Sequence, residues 1–106
     1  MKACVLLPAL NEADHIGDLV GELRALSGLS TGAPTVLVID DGSKDATAAV
    51  ARAAGAEVVS HPVNRGVGAA FRTGVEWVRA HDFDLMAHMD SDGQVLPSDL
   101  PLLLEP

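Results

Sequence analysis

Short apolar runs alternate along this chain with longer stretches in which apolar residues return every three or four positions. Ala3-Cys4-Val5-Leu6-Leu7, closed by Pro8, is apolar without interruption, the pattern of a strand buried on both faces. A polar turn, Pro8 to Glu12, follows. From Asp14 onward Ile16, Leu19, Val20, Leu23 and Leu26 mark one face of a helix, which Ser27-Gly28 to Gly32 closes. Thr35 to Ile39 reads as a second buried strand and runs into Asp40-Asp41-Gly42-Ser43. Ser43 is the expected N-cap of an Ala-rich helix reaching about Ala54, with Gly55 behind it as C-cap. A short strand, Ala56 to Ser60, leads to Asn64-Arg65-Gly66-Val67-Gly68. Val67, Ala70, Phe71, Gly74, Val75 and Val78 then trace a third helical face that ends near His81. Leu85 to Met89 is another strand, stopped by Asp90-Ser91-Asp92-Gly93-Gln94, and Ser98 is placed to cap a last helix, Asp99 to Glu105.

Strand and helix thus alternate four times with short connections. Such a pattern, with strands apolar throughout, predicts an α/β fold of about four parallel strands with helices on both faces. In a parallel sheet every strand-to-helix loop lies on one edge, and open α/β sheets bind ligands at that edge. The conspicuous polar residues fall in those loops: Asn11 and Glu12, Asp40 and Asp41, Asn64 and Arg65, Asp90 and Asp92.

Composition narrows the partners. The 106 residues form one domain, 1–106, with an aliphatic, Ala-rich core, since aromatic residues make up only 3%. A net charge of −8 speaks against nucleic acid, which needs Lys and Arg along its phosphates, but not against a nucleotide held through a metal ion. The single cysteine, Cys4, lies in an apolar run and reads as a buried, inert thiol. No stretch is apolar for long enough to span a bilayer, and the N-terminus does not read as a signal peptide, so the expected location is the cytoplasm.

The chemistry then follows from residue type and place. Asp90 and Asp92 alternate along a strand, so both carboxylates project to one side and repel unless a cation lies between them. Hard cations such as Mg²⁺ and Mn²⁺ take oxygen ligands, and Gln94, one alternation further, could add a carbonyl oxygen. An Asp/Ser/Gly turn is the plainer reading of the same residues. Glu12 and Asp40 are acceptor-only groups suited to ribose hydroxyls or a base N–H. Asn11, Asp14, Asp41 and Ser43 equally suit helix N-termini, and for Asp41 and Ser43 capping is the preferred reading. In Asn64 to Gly68 one cation and two glycines open a helix, whose free amides and Arg65 could meet a diphosphate. A glycine-rich turn that merely tightens helix packing is the alternative. His88 reads as a core histidine with a local hydrogen bond. His15, His61 and His81 have no evident partner, and no nucleophile–base pair can be assembled.

Together, Pro8-Ala9-Leu10-Asn11-Glu12, Asp40-Asp41-Gly42-Ser43, Asn64 to Ala70 and Asp90-Ser91-Asp92-Gly93-Gln94 resemble the family 2 glycosyltransferases. They are most similar to the dolichyl- or polyprenyl-phosphate mannosyl- and glucosyltransferase branch. The resemblance implies a Rossmann-like half of a GT-A fold that binds a UDP- or GDP-sugar, uses Mg²⁺ or Mn²⁺ and inverts the anomeric centre. It implies that Pro8, Ala9 and Glu12 line the nucleoside pocket, with Glu12 near the ribose. Asp40 would contact the base, Arg65 would lie by the diphosphate, and Asp90, Asp92 and Gln94 would hold the metal. A lipid-phosphate acceptor, at the cytoplasmic face of a membrane, belongs to the same expectation. The family's chain continues past this length into an acceptor-binding half that carries the catalytic base, so the expectation here is the donor-binding part, or a non-catalytic nucleotide-binding or assembly module derived from it. A metal-dependent nucleotidyltransferase would want a cation in the loop after the first strand, and Pro8 to Asp14 has none. The strand ending at Asp90 would then expose a sheet edge, which predicts self-association into a homo-oligomer.

Overall fold

The computed structural model describes residues 2–25 and 33–88. Among them four strands form one parallel sheet: β1 (Ala3–Ala9), β2 (Thr35–Asp40), β3 (Glu57–Ser60) and β4 (Leu85–His88), in the order β3-β2-β1-β4. Three helices connect them: α1 (Ala13–Arg24), α2 (Thr47–Ala53) and α3 (Val67–Ala80). The chain steps outward from β1 to β3, then returns through α3 to place β4 on the far side of β1. The strand order therefore reverses between β1 and β4.

Alternation along the two inner strands divides the core. Val5, Leu7 and Ala9 of β1 and Val36 and Val38 of β2 pack on Ile16, Leu19, Val20 and Leu23 of α1 and on Ala51 of α2. Cys4, Leu6, Leu37 and Ile39 turn to the other face and meet Ala70 and Val78 of α3. Helices thus cover both faces, and the inner strands are apolar on both sides, as the sequence predicts. All seven residues of β1 are buried. Burying a side chain the size of Leu7 or Leu23 contributes about 1.5–3 kcal/mol each. Small residues set the helix spacing: a Cβ on Gly74 would run into the isobutyl group of Leu6, so α3 lies directly on β1. Burial also holds the Cys4 thiol neutral, pushing its pKa up to about 12.

The predicted boundaries shift in instructive ways. β1 continues through Pro8 to Ala9, because Ala9 turns its carbonyl to the Asp41 amide. Pro8, one residue earlier, turns the other way, so its missing N–H breaks no rung with β2. β3 is half exposed at the sheet margin, as a short outer strand can be. In α3, Val67 and Phe71 are not core positions: they are 67% and 36% exposed, and Ala69, Ala70, Gly74 and Val78 form the buried face instead. Leu26, the loop through Gly32 and the helix predicted after Ser98 lie outside the described residues.

Candidate functional site

The loops that follow β1, β2 and β3 meet at the carboxyl edge of the sheet. The ladder itself brings their starting points into line: Ala9 lies beside Asp40, and Asp40 beside Ser60. Glu12 is half-buried at the N-terminus of α1, and Pro8, Ala9 and Asp40 are buried. Arg65 is exposed just before α3. Pro8, Ala9, Glu12, Asp40 and Arg65 therefore share one rim. Asp90, Asp92 and Gln94 lie outside the described residues. Among those that are described, no three His, Cys, Asp or Glu side chains are placed to hold a metal ion.

The seam between the first two loops is a set of reciprocal hydrogen bonds. Asn11 adopts a left-handed backbone (φ 54°), which Asn tolerates better than most residues. Its amide donates to Ser43 Oγ and its side-chain oxygen accepts from the Lys44 amide, both at 2.8 Å. The Glu12 amide donates to Thr47 Oγ1 at 2.8 Å. Asp45 completes the seam, accepting from the Ala13 amide with one oxygen and from the Thr47 amide and hydroxyl with the other. One carboxylate thereby serves the first residues of two helices, where backbone donors have no partner of their own. The Thr47 hydrogen bond, foremost, holds the Asp45 carboxyl below the usual range.

This replaces the expectation for Ser43. The helix starts at Thr47, with Ala46 in the N-cap position, and Ser43 instead accepts from Asn11. Asn11 and Asp41 are not helix caps of the predicted kind either. Asp45 carries the role, and the Asp-x-Thr spacing ahead of the Ala-rich run was the signal for it.

The second seam joins the loops after β2 and β3, and its centre, Asp41 and His61, is buried. Asp41, 5% exposed, accepts from the Arg65 amide with Oδ1 and from the Gly66 amide with Oδ2, each at 2.9 Å. His61 Nδ1 lies 2.8 Å from Asp41 Oδ1, and His61 Nε2 lies 2.8 Å from Thr73 Oγ1 on α3. An ionised carboxylate can only accept, so the proton sits on Nδ1. Nε2 is the ring nitrogen left to meet the Thr73 hydroxyl. Burial alone would raise the pKa of Asp41. The bonds from His61, Arg65 and Gly66 outweigh it and hold the carboxyl below its ordinary value. Gly42 (φ 83°) lets the two loops close: any Cβ there would strike the backbone of Val63 and Asn64. Gly66 (φ 97°, ψ 160°) takes a conformation that L side chains rarely adopt.

Two expectations change here. The amides of Arg65 and Gly66 are not open to a phosphate, because a carboxylate of the protein already occupies them. His61 has two partners where the sequence suggested none. His88 also departs from expectation: its Nε2 is buried without a hydrogen-bond partner among the described residues, and its ring meets Phe71 edge-on, with centroids 5.0 Å apart.

Among the described residues, Asp40 is the one acidic residue on this rim still within a strand. Its carboxylate accepts from the Ser43 amide at 3.0 Å through Oδ1, and its carbonyl accepts from the His61 amide. A separate cavity of about 300 Å³ opens at the opposite edge, lined by Lys2, Thr35, Glu57, Trp77, His81 and Phe83. It lies at the amino ends of the strands, away from the edge where sheets of this type hold ligands.

A doubly wound parallel sheet whose strand order reverses beside β1, with polar loops gathered at its carboxyl edge, defines the class of α/β nucleotide-binding folds. Comparison with known proteins gives the family. The model of Glycosyl transferase family 2 matches residues 4–106, and the chain belongs to that family. It is 34% identical to the undecaprenyl-phosphate mannosyltransferase of Micrococcus luteus over 99% of this chain and 44% of that protein. It is 28% identical to the polyprenol monophosphomannose synthase of Mycolicibacterium smegmatis, over 98% of this chain and 40% of that one. Among solved structures, glucosyl-3-phosphoglycerate synthase from Mycobacterium tuberculosis, in complex with Mn²⁺, UDP and glucosyl-3-phosphoglycerate, superposes with a TM-score of 0.67 at 33% identity. That match covers 85% of this chain and 33% of the other. The chain spans less than half the length of these relatives.

Proposed function

We propose that this chain binds the donor in a glycosyltransferase that moves a sugar from a UDP- or GDP-sugar to a lipid phosphate. The observation that carries this reading is the shared rim. Glu12 follows β1, Asp40 ends β2 and Arg65 follows β3, and hydrogen bonds between the loops after these strands fix their spacing. Family membership supports the reaction class, and relatives named for undecaprenyl phosphate and polyprenol support the acceptor class. A neighbour solved with Mn²⁺ and UDP, and another with Mg²⁺ and UDP, support a divalent cation.

In this reading Pro8 and Ala9 line the nucleoside pocket, and Glu12 accepts from the ribose. Asp40 accepts from the base, and Arg65 offers its fork of donors to the diphosphate. Asp90, Asp92 and Gln94 supply only oxygen atoms, the donor set that Mg²⁺ or Mn²⁺ takes. When bound, the cation screens the diphosphate and stabilises it as a leaving group. No residue of this chain is assigned as the base that activates the acceptor. No helix among the described residues is long and apolar enough to cross a membrane.

Calorimetric titration with UDP and with GDP, with and without Mn²⁺, on the wild type and Asp92→Ala tests this. The expected result is metal-dependent binding of one nucleotide that Asp92→Ala abolishes. Equal binding under every condition would remove the metal site from the proposal. Self-association through the outer edge of β4 is part of the same reading, and a monomer by size-exclusion chromatography at high concentration would count against it.

A further inference from the structure

The buried seam carries more than packing. Asp41 reaches the loop that presents Arg65 by bonding its backbone and not its side chain. Both carboxylate oxygens are used, one for the Arg65 amide and one for the Gly66 amide, so the two successive peptide planes on either side of the Arg65 Cα are each held by one oxygen. Behind the carboxylate, His61 is held between Asp41 and Thr73, which ties the end of β2 to the end of β3 and to the second turn of α3. Gly66, in a conformation that needs glycine, is the residue through which the loop turns into the helix. Arg65 is exposed, so its side chain keeps its rotamer freedom, and what the protein fixes is the backbone point from which it leaves.

We propose that Asp41, braced by His61 and Thr73, is a positioning residue for donor binding, fixing the backbone of Arg65 so that its guanidinium meets the diphosphate. The proposal rests on the donor reading above and adds a mechanism to it. Asp41 places a fixed negative charge at the N-terminus of α3, where a phosphate would otherwise gain most from free amides. The attraction for the diphosphate on this side of the rim then comes from the Arg65 side chain and not from the loop amides. Asp41 shapes that attraction without touching the ligand.

The test separates diphosphate from nucleoside. Dissociation constants are measured for UDP and GDP with Mn²⁺, and for uridine and guanosine, on wild type, Asp41→Asn, His61→Leu, Thr73→Val and Arg65→Ala. Asp41→Asn and His61→Leu should weaken binding of the preferred diphosphate about tenfold, near the lower end of what losing a supporting partner costs a binding group. Both should leave nucleoside affinity unchanged. His61→Gln, which can donate to Asp41 and accept from Thr73, should restore most of the loss. The double variant Asp41→Asn/Arg65→Ala should bind no more weakly than Arg65→Ala alone, because both changes remove one interaction. Parallel loss of nucleoside and diphosphate affinity, or additive losses in the double variant, would overturn the proposal in favour of a purely structural role. Should Asp41→Asn fail to fold, His61→Leu and Thr73→Val decide the matter on the same readouts. If wild type binds neither UDP nor GDP, the donor reading itself falls. Unaltered binding by the folded variants, beside a wild type that binds, sinks the positioning role alone.

Discussion

The two seams of the rim solve one problem, holding neighbouring loops together, with the same residue type in opposite surroundings. Asp45 sits at the surface and links α1 to α2. Asp41, four residues earlier, is buried and links the loops after β2 and β3. Water can replace what Asp45 provides, so that seam is adjustable. Asp41 is harder to replace, because the His61 ring it bonds is buried and its donor would be left unpaired. The contrast shows that similar hydrogen-bond patterns differ in consequence once solvent is excluded from one of them.

Removing Asp41 should therefore have the largest effect. Asp41→Ala is expected to cost about 3 kcal/mol of folding stability, the scale of leaving a buried hydrogen-bond donor without its charged acceptor, read from urea unfolding midpoints. Gly74→Ala comes next: the new methyl group must displace Leu6 from beneath α3, at roughly 1–3 kcal/mol. Asp45→Ala should lower the melting temperature by less than either. If it matched Asp41→Ala, the distinction between wet and dry seams would be lost.

Acid separates folded from unfolded chains through the same two groups. Folding lowers both carboxyls from their ordinary value of 3.8. A lowered carboxyl contributes stability that is present above its unfolded pKa and lost as pH falls through the folded one. Stability attributable to Asp41 should thus hold at neutral pH and fall away below about pH 4, and unfolding curves of Asp41→Ala should lack that component. At the other end of the scale, Cys4 should resist alkylation in the folded chain at pH 8 and react readily in urea. Since burial pushes the thiol up from its ordinary 9.0 to about 12, its contribution is present below pH 9 and is lost as pH rises towards 12.

Much of the fold was readable from residue order alone. Continuous apolar runs could only be strands covered on both faces, and the stripe Ile16, Leu19, Val20, Leu23 could only be one side of a helix. That pattern, with short connections, required a parallel sheet, and a parallel sheet required the polar loops to share an edge. Hydrophobic periodicity is a local property, so local sequence determines it. What the tertiary structure decided is which polar group answers which. Asp40 and Asp41 are adjacent, chemically identical and both buried, yet one answers the Ser43 amide three residues on and the other a loop 24 residues away. His61 found its partners, and Ser43 lost its expected helix, through contacts that no spacing within either segment encodes. Such choices depend on how loops from separate strands approach one another, and only the closed sheet sets that approach.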